Sequence, residues 1–271
     1  MSRKESNKQD LINFLDYFLK TGDEEKITEY LISNSNLPSP RANLELAKAF
    51  AEVAEDNSKE VLEKLWGLCL KLTNVSSDEA PVNSPKEFLP FCGAYALGAI
   101  SSVSPTFFDK ALSRLQELAN DPRWRIREAV AMGIQKLLAK QSQNTLKELE
   151  GWIENNKWLA MRAVAAGVAD PALLKDNQTA QRALELHRRT FAKILTTTER
   201  KSYEFKTMKK GLGYTLSVVI CAIPKEGFEF MRQLTDSQDA DILWIIKENL
   251  KKNRLIKNFP GEVTSIKKLL E

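Results

Sequence analysis

Trp124 and Glu128 stand four residues apart, and one repeat later Trp158 and Arg162 do the same. Residues at i and i+4 share a helix face. A tryptophan beside a carboxylate or a guanidinium makes a shelf for a flat ring with a charge at its edge, suited to a nucleobase, a partner aromatic or a partner carboxylate. The alternative is that both tryptophans pack between helices, as large aromatics usually do. Arg123, Arg125 and Arg127 open the same segment. Three cations in a first helical turn oppose the helix dipole, so Arg123 and Arg125 predict a bound anion such as phosphate. Residues 182–210 hold nine Lys and Arg against three Glu, with Lys206, Lys209 and Lys210 on one face. Lys247, Lys251, Lys252, Arg254 and Lys257 form a second cluster, one turn after Trp244. Basic residues with interleaved aromatics are a nucleic-acid footprint, and the alternative is a merely solvated helix surface.

Other chemistries are excluded or thinly represented. The chain has one histidine, His187, which removes histidine-rich metal sites, and it reads as a surface residue. Cys69, Cys92 and Cys221 lie far apart in apolar segments, without a CxxC pair, and read as buried reduced thiols. There is no Gly-rich phosphate loop, HExxH or GxSxG. Neither a metal nor a cofactor is expected. Charge is unevenly spread: residues 1–100 hold 11 Lys and Arg against 16 Asp and Glu, residues 101–271 hold 29 against 20, and the chain nets +4. A basic remainder behind an acidic first third can steer a charged partner.

The 271 residues are 43% apolar and 28% charged, enough for a sizeable core. With 11 Gly and 10 Pro, the chain is not turn-dense. No apolar run reaches the roughly 18 residues of a membrane span, and the first ten residues are polar with no secretory core. A cytoplasmic protein without membrane contact is expected.

These residues are positioned by helices. In 121–138 apolar or small residues fall at 126, 129, 130, 133, 134, 137 and 138, one buried helical stripe. Asp121 is a natural N-cap and Pro122 suits the first helical position. Starts and stops read the same way predict helices at 8–20, 23–33, 41–55, 58–72, 86–101, 105–119, 122–140, 142–154, 157–169, 178–198, 202–222, 224–235 and 238–252, with a short tail helix at 262–270. Residues 73–85 are the one long polar loop. No strand is predicted.

The helices repeat. Trp124, Ala129, Val130, Ala131 and Gly133 recur as Trp158, Ala163, Val164, Ala165 and Gly167, and Ala94 to Gly98 lie over Ala129 to Gly133. Second helices of successive pairs begin near 41, 87, 122, 157, 203 and 238. Glycine costs about 1 kcal/mol inside a helix, so its recurrence at 98, 133 and 167 predicts close approach of a neighbouring helix. The expected fold is an all-α right-handed superhelix, an α-α solenoid of about six helix pairs in a single domain spanning 1–271. Residues 1–22 would cap it, 23–252 form the repeats and 253–271 the tail, and second helices would line a concave face.

Asp121-Pro122, Ile126-Arg127, Ala129-Val130 and Leu137 resemble the second helix of a HEAT repeat, an armadillo-type family. That resemblance implies an Asp–Arg ladder between repeats, here Asp121 with Arg127; Met161 stands where 157–168 would carry the arginine. Six pairs with tryptophans opening second helices also resemble the HEAT-like DNA glycosylases that excise alkylated purines, Trp158 to Val164 being similar to that branch's tryptophan-and-arginine helix. It implies an essential aspartate in the cleft. Helices 86–101 and 157–169 have no interior aspartate, and Glu128 is the only carboxylate inside 122–140. Glu128 is therefore the only candidate catalytic residue, with Arg162 at its repeat equivalent. The function expected first is a non-enzymatic binding scaffold with a protein or nucleic-acid partner. Its contact residues would be Trp124, Arg125, Trp158, Arg162, Lys206, Lys209, Lys210, Trp244, Lys247 and Lys251. A DNA glycosylase, or a degenerate DNA-binding relative of one, is the alternative.

Overall fold

Short polar side chains start several helices. Asn43 accepts from the Leu46 N–H, Asp176 from Thr179, Ser202 from Phe205, and Asp239 from Asp241 and Ile242. Each satisfies backbone donors that a helix start otherwise leaves open. The computed structural model describes residues 3–57 and 59–271, and among these there are helices and no strand. In chain order the helices are α1 (Arg3–Thr21), α2 (Glu25–Ser33), α3 (Leu44–Glu55), α4 (Lys59–Thr73), α5 (Phe88–Val103), α6 (Phe108–Leu118) and α7 (Trp124–Glu154). They continue with α8 (Trp158–Val168), α9 (Asn177–Thr196), α10 (Tyr203–Ala222), α11 (Pro224–Thr235), α12 (Ala240–Leu250), α13 (Asn253–Asn258) and α14 (Pro260–Leu269). Gln141 interrupts α7 with non-helical angles, φ −133° and ψ 48°, where the sequence predicts one helix to end and the next to begin.

The described residues fold as an all-α chain. Second helices of six pairs start at Leu44, Phe88, Trp124, Trp158, Tyr203 and Ala240, each within three residues of its predicted start. Helix α13, between the repeats and the tail helix, was not predicted. Among the described residues no helix is long and apolar enough to cross a membrane.

The chain divides into two compact units, 1–140 and 141–271. In the first, α5 packs against α3, α4 and α6, and α1 against α2 and α3. Helix α5 is buried along nearly its whole length. Gly98 of α5 meets Gly133 of α7 backbone to backbone: a Cβ on Gly98 would lie 2.4 Å from the Gly133 Cα. This is the close approach that the recurring glycines predict. In the second unit α10 is the central helix, packed against α8, α9, α11, α12 and α13, while α14 closes on α11 and α13. Phe191 and Phe230 meet edge to face there, with centroids 5.5 Å apart.

Candidate functional site

The arginine cluster before and within the first turn of α7 is buried, and its anions come from the chain itself. Arg123 clamps the Asp121 carboxylate with Nε and Nη2, at 2.9 and 2.7 Å, and donates from Nη1 to the carbonyls of Ser76 and Ala80. Arg125 pairs through Nη1 with the buried Glu87, at 3.0 Å. Its Nη2 donates to the Ser39 carbonyl at 2.6 Å and to Asn83 Oδ1 at 3.1 Å. Arg127 donates to the carbonyls of Asp121 and Pro122.

Two expectations are corrected here and two are met in part. Helix α7 starts at Trp124, so Pro122 is outside it. The Asp121 carboxylate accepts the Arg123 N–H at 2.8 Å, the cap-type bond its position predicts, and holds the Arg123 guanidinium as well. Arg127 meets Asp121 as the resemblance implies, through the Asp121 carbonyl at 2.6 Å. Arg123 and Arg125 find their anions inside the chain, in Asp121 and Glu87, and their remaining Nη donors pin the loops at 34–43 and 74–84 to the start of α7.

Trp124 turns outward from this cluster. It is 44% exposed, with the Arg125 guanidinium 4.5 Å over its ring. One turn on, half-buried Glu128 joins it in lining a cavity of about 280 Å³ whose other walls include Leu44, Phe91, Arg125 and Met132. Arg125 Nε is buried and has no hydrogen-bond partner. Trp124, Arg125 and Glu128 are thus brought together, around a space smaller than the usual 300–1,000 Å³ of a drug-sized pocket. It suits one ring-sized group with an apolar body and a polar edge.

In the second unit the predicted residues part company. Trp158 is buried and meets Phe205 edge to face, centroids 5.1 Å apart. It packs between helices and is no stacking shelf. Half-buried Arg162 runs along α10, its Cγ 3.1 Å from where a Gly211 Cβ would sit. Lys209 pairs with Asp241 at 2.8 Å and lies 4.9 Å over the Trp244 ring, so both are part of the α10–α12 packing. Gly213 permits that packing: a Cβ there would sit 3.3 Å from the Trp244 ring. Lys206, Lys210, Lys247 and Lys251 are exposed, and Lys251 pairs with Glu248 on its own helix.

Tyr203 and Tyr214 were missed. They are 57% and 49% exposed and fall on the α10 stripe of Lys206 and Lys210. The Arg254 guanidinium lies 4.5 Å over the Tyr214 ring and donates to its hydroxyl at 2.5 Å. The stripe was legible as Tyr, Lys, Lys, Tyr at spacings of three, four and four.

His187 is not a surface residue. It is fully buried between α9 and α10. Nδ1 lies 2.8 Å from the Ala183 carbonyl, and Nε2 3.0 Å from Thr215 Oγ1. A carbonyl only accepts, so Nδ1 carries the proton and Nε2 accepts from the threonine hydroxyl. Burial pushes its pKa down to about 4, against a smaller upward pull from the Ala183 carbonyl. Cys69 and Cys92 are buried free thiols, and burial pushes Cys69 up to about 12.

No family model matches this chain, and no curated protein matches it. Among solved structures, a designed armadillo repeat protein, YIII(Dq)4CqI, aligns with 82% of this chain and 98% of its own, at 15% identity and a TM-score of 0.29. A likeness that low carries no argument about function.

Proposed function

We propose that the chain is a helical-repeat binding scaffold that holds nucleic acid by its phosphates along α10 and α12. The carrying observation is the exposure of Lys206, Lys210, Lys247 and Lys251 on neighbouring helices, with Tyr203 and Tyr214 among them. Lys252 and Arg254 flank Tyr214 and extend the same basic strip. Each phosphate neutralised releases counterions, so binding to duplex DNA should weaken with salt at a log–log slope of about −0.9 per contact. Three to six such contacts are roughly what one face can present, again by the counterion rule. Lys206→Ala with Lys210→Ala should make the slope shallower by about 2, one unit per lost contact. Lys209 is left intact because it holds Asp241. Absence of wild-type binding to duplex and single strands at low salt would overturn nucleic acid as the partner and leave an acidic protein surface.

A second reading, excision of an alkylated base, is favoured by one observation: Trp124 and Glu128 line the cavity beside α3 and α5. A departing base leaves positive charge on the sugar, which a nearby carboxylate stabilises. Release of alkylated bases from methylated duplex DNA by the wild type, lost in Glu128→Gln, would support it. Equal release by both would remove Glu128 from the chemistry.

A further inference from the structure

The α10 stripe carries more than charge. Tyr203, Lys206, Lys210 and Tyr214 recur at three-, four- and four-residue intervals, which keeps them within about 80° of one another around a helix turning 100° per residue. At 1.5 Å per residue the two tyrosines stand about 16 Å apart, with Lys206 and Lys210 about 4 and 10 Å along from Tyr203. Glu204, also exposed, projects off the stripe because it lies one residue, about 100°, from Tyr203.

Lysines alone would serve any polyanion. Two large aromatic rings about half exposed, one at each end of a cationic row, match a partner with ring faces. A duplex buries its base faces in its own stack and offers phosphates and groove edges. A single strand offers a ring face on every nucleotide, and every base can stack on an aromatic side chain. The spacing also fits: about 16 Å covers roughly five nucleotides at the 3.4 Å stacked rise. Tyr214 is set in advance. Arg254 lies over its ring and bonds its hydroxyl, and the Lys252 ammonium is 5.7 Å from the ring. A ring already held loses little rotamer freedom on binding.

We infer that this stripe takes single-stranded nucleic acid, with bases stacked on Tyr203 and Tyr214 and the intervening phosphates on Lys206 and Lys210. The inference rests on the nucleic-acid reading above and narrows it. The test compares an oligo-dT of about 12 nucleotides, within the site sizes usual for stacking grooves, with a duplex of the same length, by fluorescence anisotropy on the full chain. The strand should bind more tightly than the duplex. Tyr203→Ala and Tyr214→Ala should each weaken strand binding about 5- to 150-fold, the range for losing one stacked base, with duplex binding unchanged. Tyr203→Phe and Tyr214→Phe keep the rings and should keep most of the affinity, Tyr214→Phe without its Arg254 bond. Lys206→Ala with Lys210→Ala should weaken both substrates. If the lysine variant weakens both but the alanine variants leave strand binding unchanged, the stacking inference falls and phosphate binding stands. If the duplex binds as tightly as the strand, the inference also falls. If the lysine variant changes neither, the nucleic-acid reading itself is lost.

Discussion

The start of α7 and the outer stripe of α10 are both dense in cations, and they use them in opposite ways. At α7 three guanidiniums lie inside the protein, spent on Asp121, Glu87 and the carbonyls of two loops. At α10 two ammoniums stand in water between exposed tyrosines. The difference follows from the groups. A guanidinium is planar, weakly hydrated and forked, so one buried arginine can hold a carboxylate and several carbonyls together. An ammonium is a strongly hydrated point charge on a flexible stem, best kept wet and available to a phosphate. Cation density therefore marks loop-pinning in the first unit and an open surface in the second.

The largest break in this contrast is Arg125→Ala. It leaves the buried Glu87 without its counter-charge, holding only the Asn83 N–H on Oε2 while Oε1 has no partner. Removing one member of a buried pair costs about 3–5 kcal/mol, so the urea midpoint should fall sharply. Replacing both, Arg125→Met with Glu87→Leu, should recover much of that. A loss under about 1 kcal/mol in the single variant, far below the buried-pair range, would show the pair to be idle.

Acid should act next most strongly, through the second unit. His187 has its pKa lowered to about 4 when folded, against about 6.5 unfolded. Its neutral form is the folded one, so its contribution is complete above pH 6.5 and lost as pH falls from 6.5 toward 4. About 2.5 pKa units correspond to about 3 kcal/mol. Denaturation midpoints of wild type and His187→Gln should converge as pH drops through that window. A wild-type pH profile parallel to that of His187→Gln would refute the assignment.

Glycine substitutions sharpen the contrast at smaller scale. Gly98→Ala forces a methyl to within 2.4 Å of the Gly133 Cα, and overpacking of this kind costs about 1–3 kcal/mol. Gly151, on the exposed face of α7, has nothing within 4 Å of its Cβ position, so Gly151→Ala should gain up to about 1 kcal/mol. Thermal melts of the two variants should move in opposite directions. Smallest of all, Lys206→Ala and Lys210→Ala should change stability by about 0.5 kcal/mol or less each. A larger loss would place these lysines in the packing, with Arg125.

Much of this was legible in the chain. Helical periodicity and turn residues placed the six second helices, the break at 141 and the Gly98–Gly133 contact, because each depends on neighbours in sequence. Burial of charge was not, because it depends on loops distant in sequence. The clue for Arg123 and Arg125 was present, since cations at a helix start demand anions. The anions sit at Asp121 and at Glu87, and the second is out of reach of local reading. Trp158 and His187 failed for a similar reason: a helical face is visible in sequence, but whether another helix covers it is decided by packing. At the candidate site, Trp124 with Glu128 was read correctly as a pair on one face, while the exposed tyrosines were overlooked for the lysines beside them.

The arginine fastening also has a schedule. The Ser39 carbonyl is made 86 residues before the guanidinium that binds it. At about 5–20 residues per second of synthesis, that is roughly 4–17 s. During that interval the loop at 34–43 has emerged without its clasp, and the loop at 74–84 waits for the same side chain. Neither can reach its final form until the start of α7 follows. Two early loops of the first unit are thus locked by a residue made near its end.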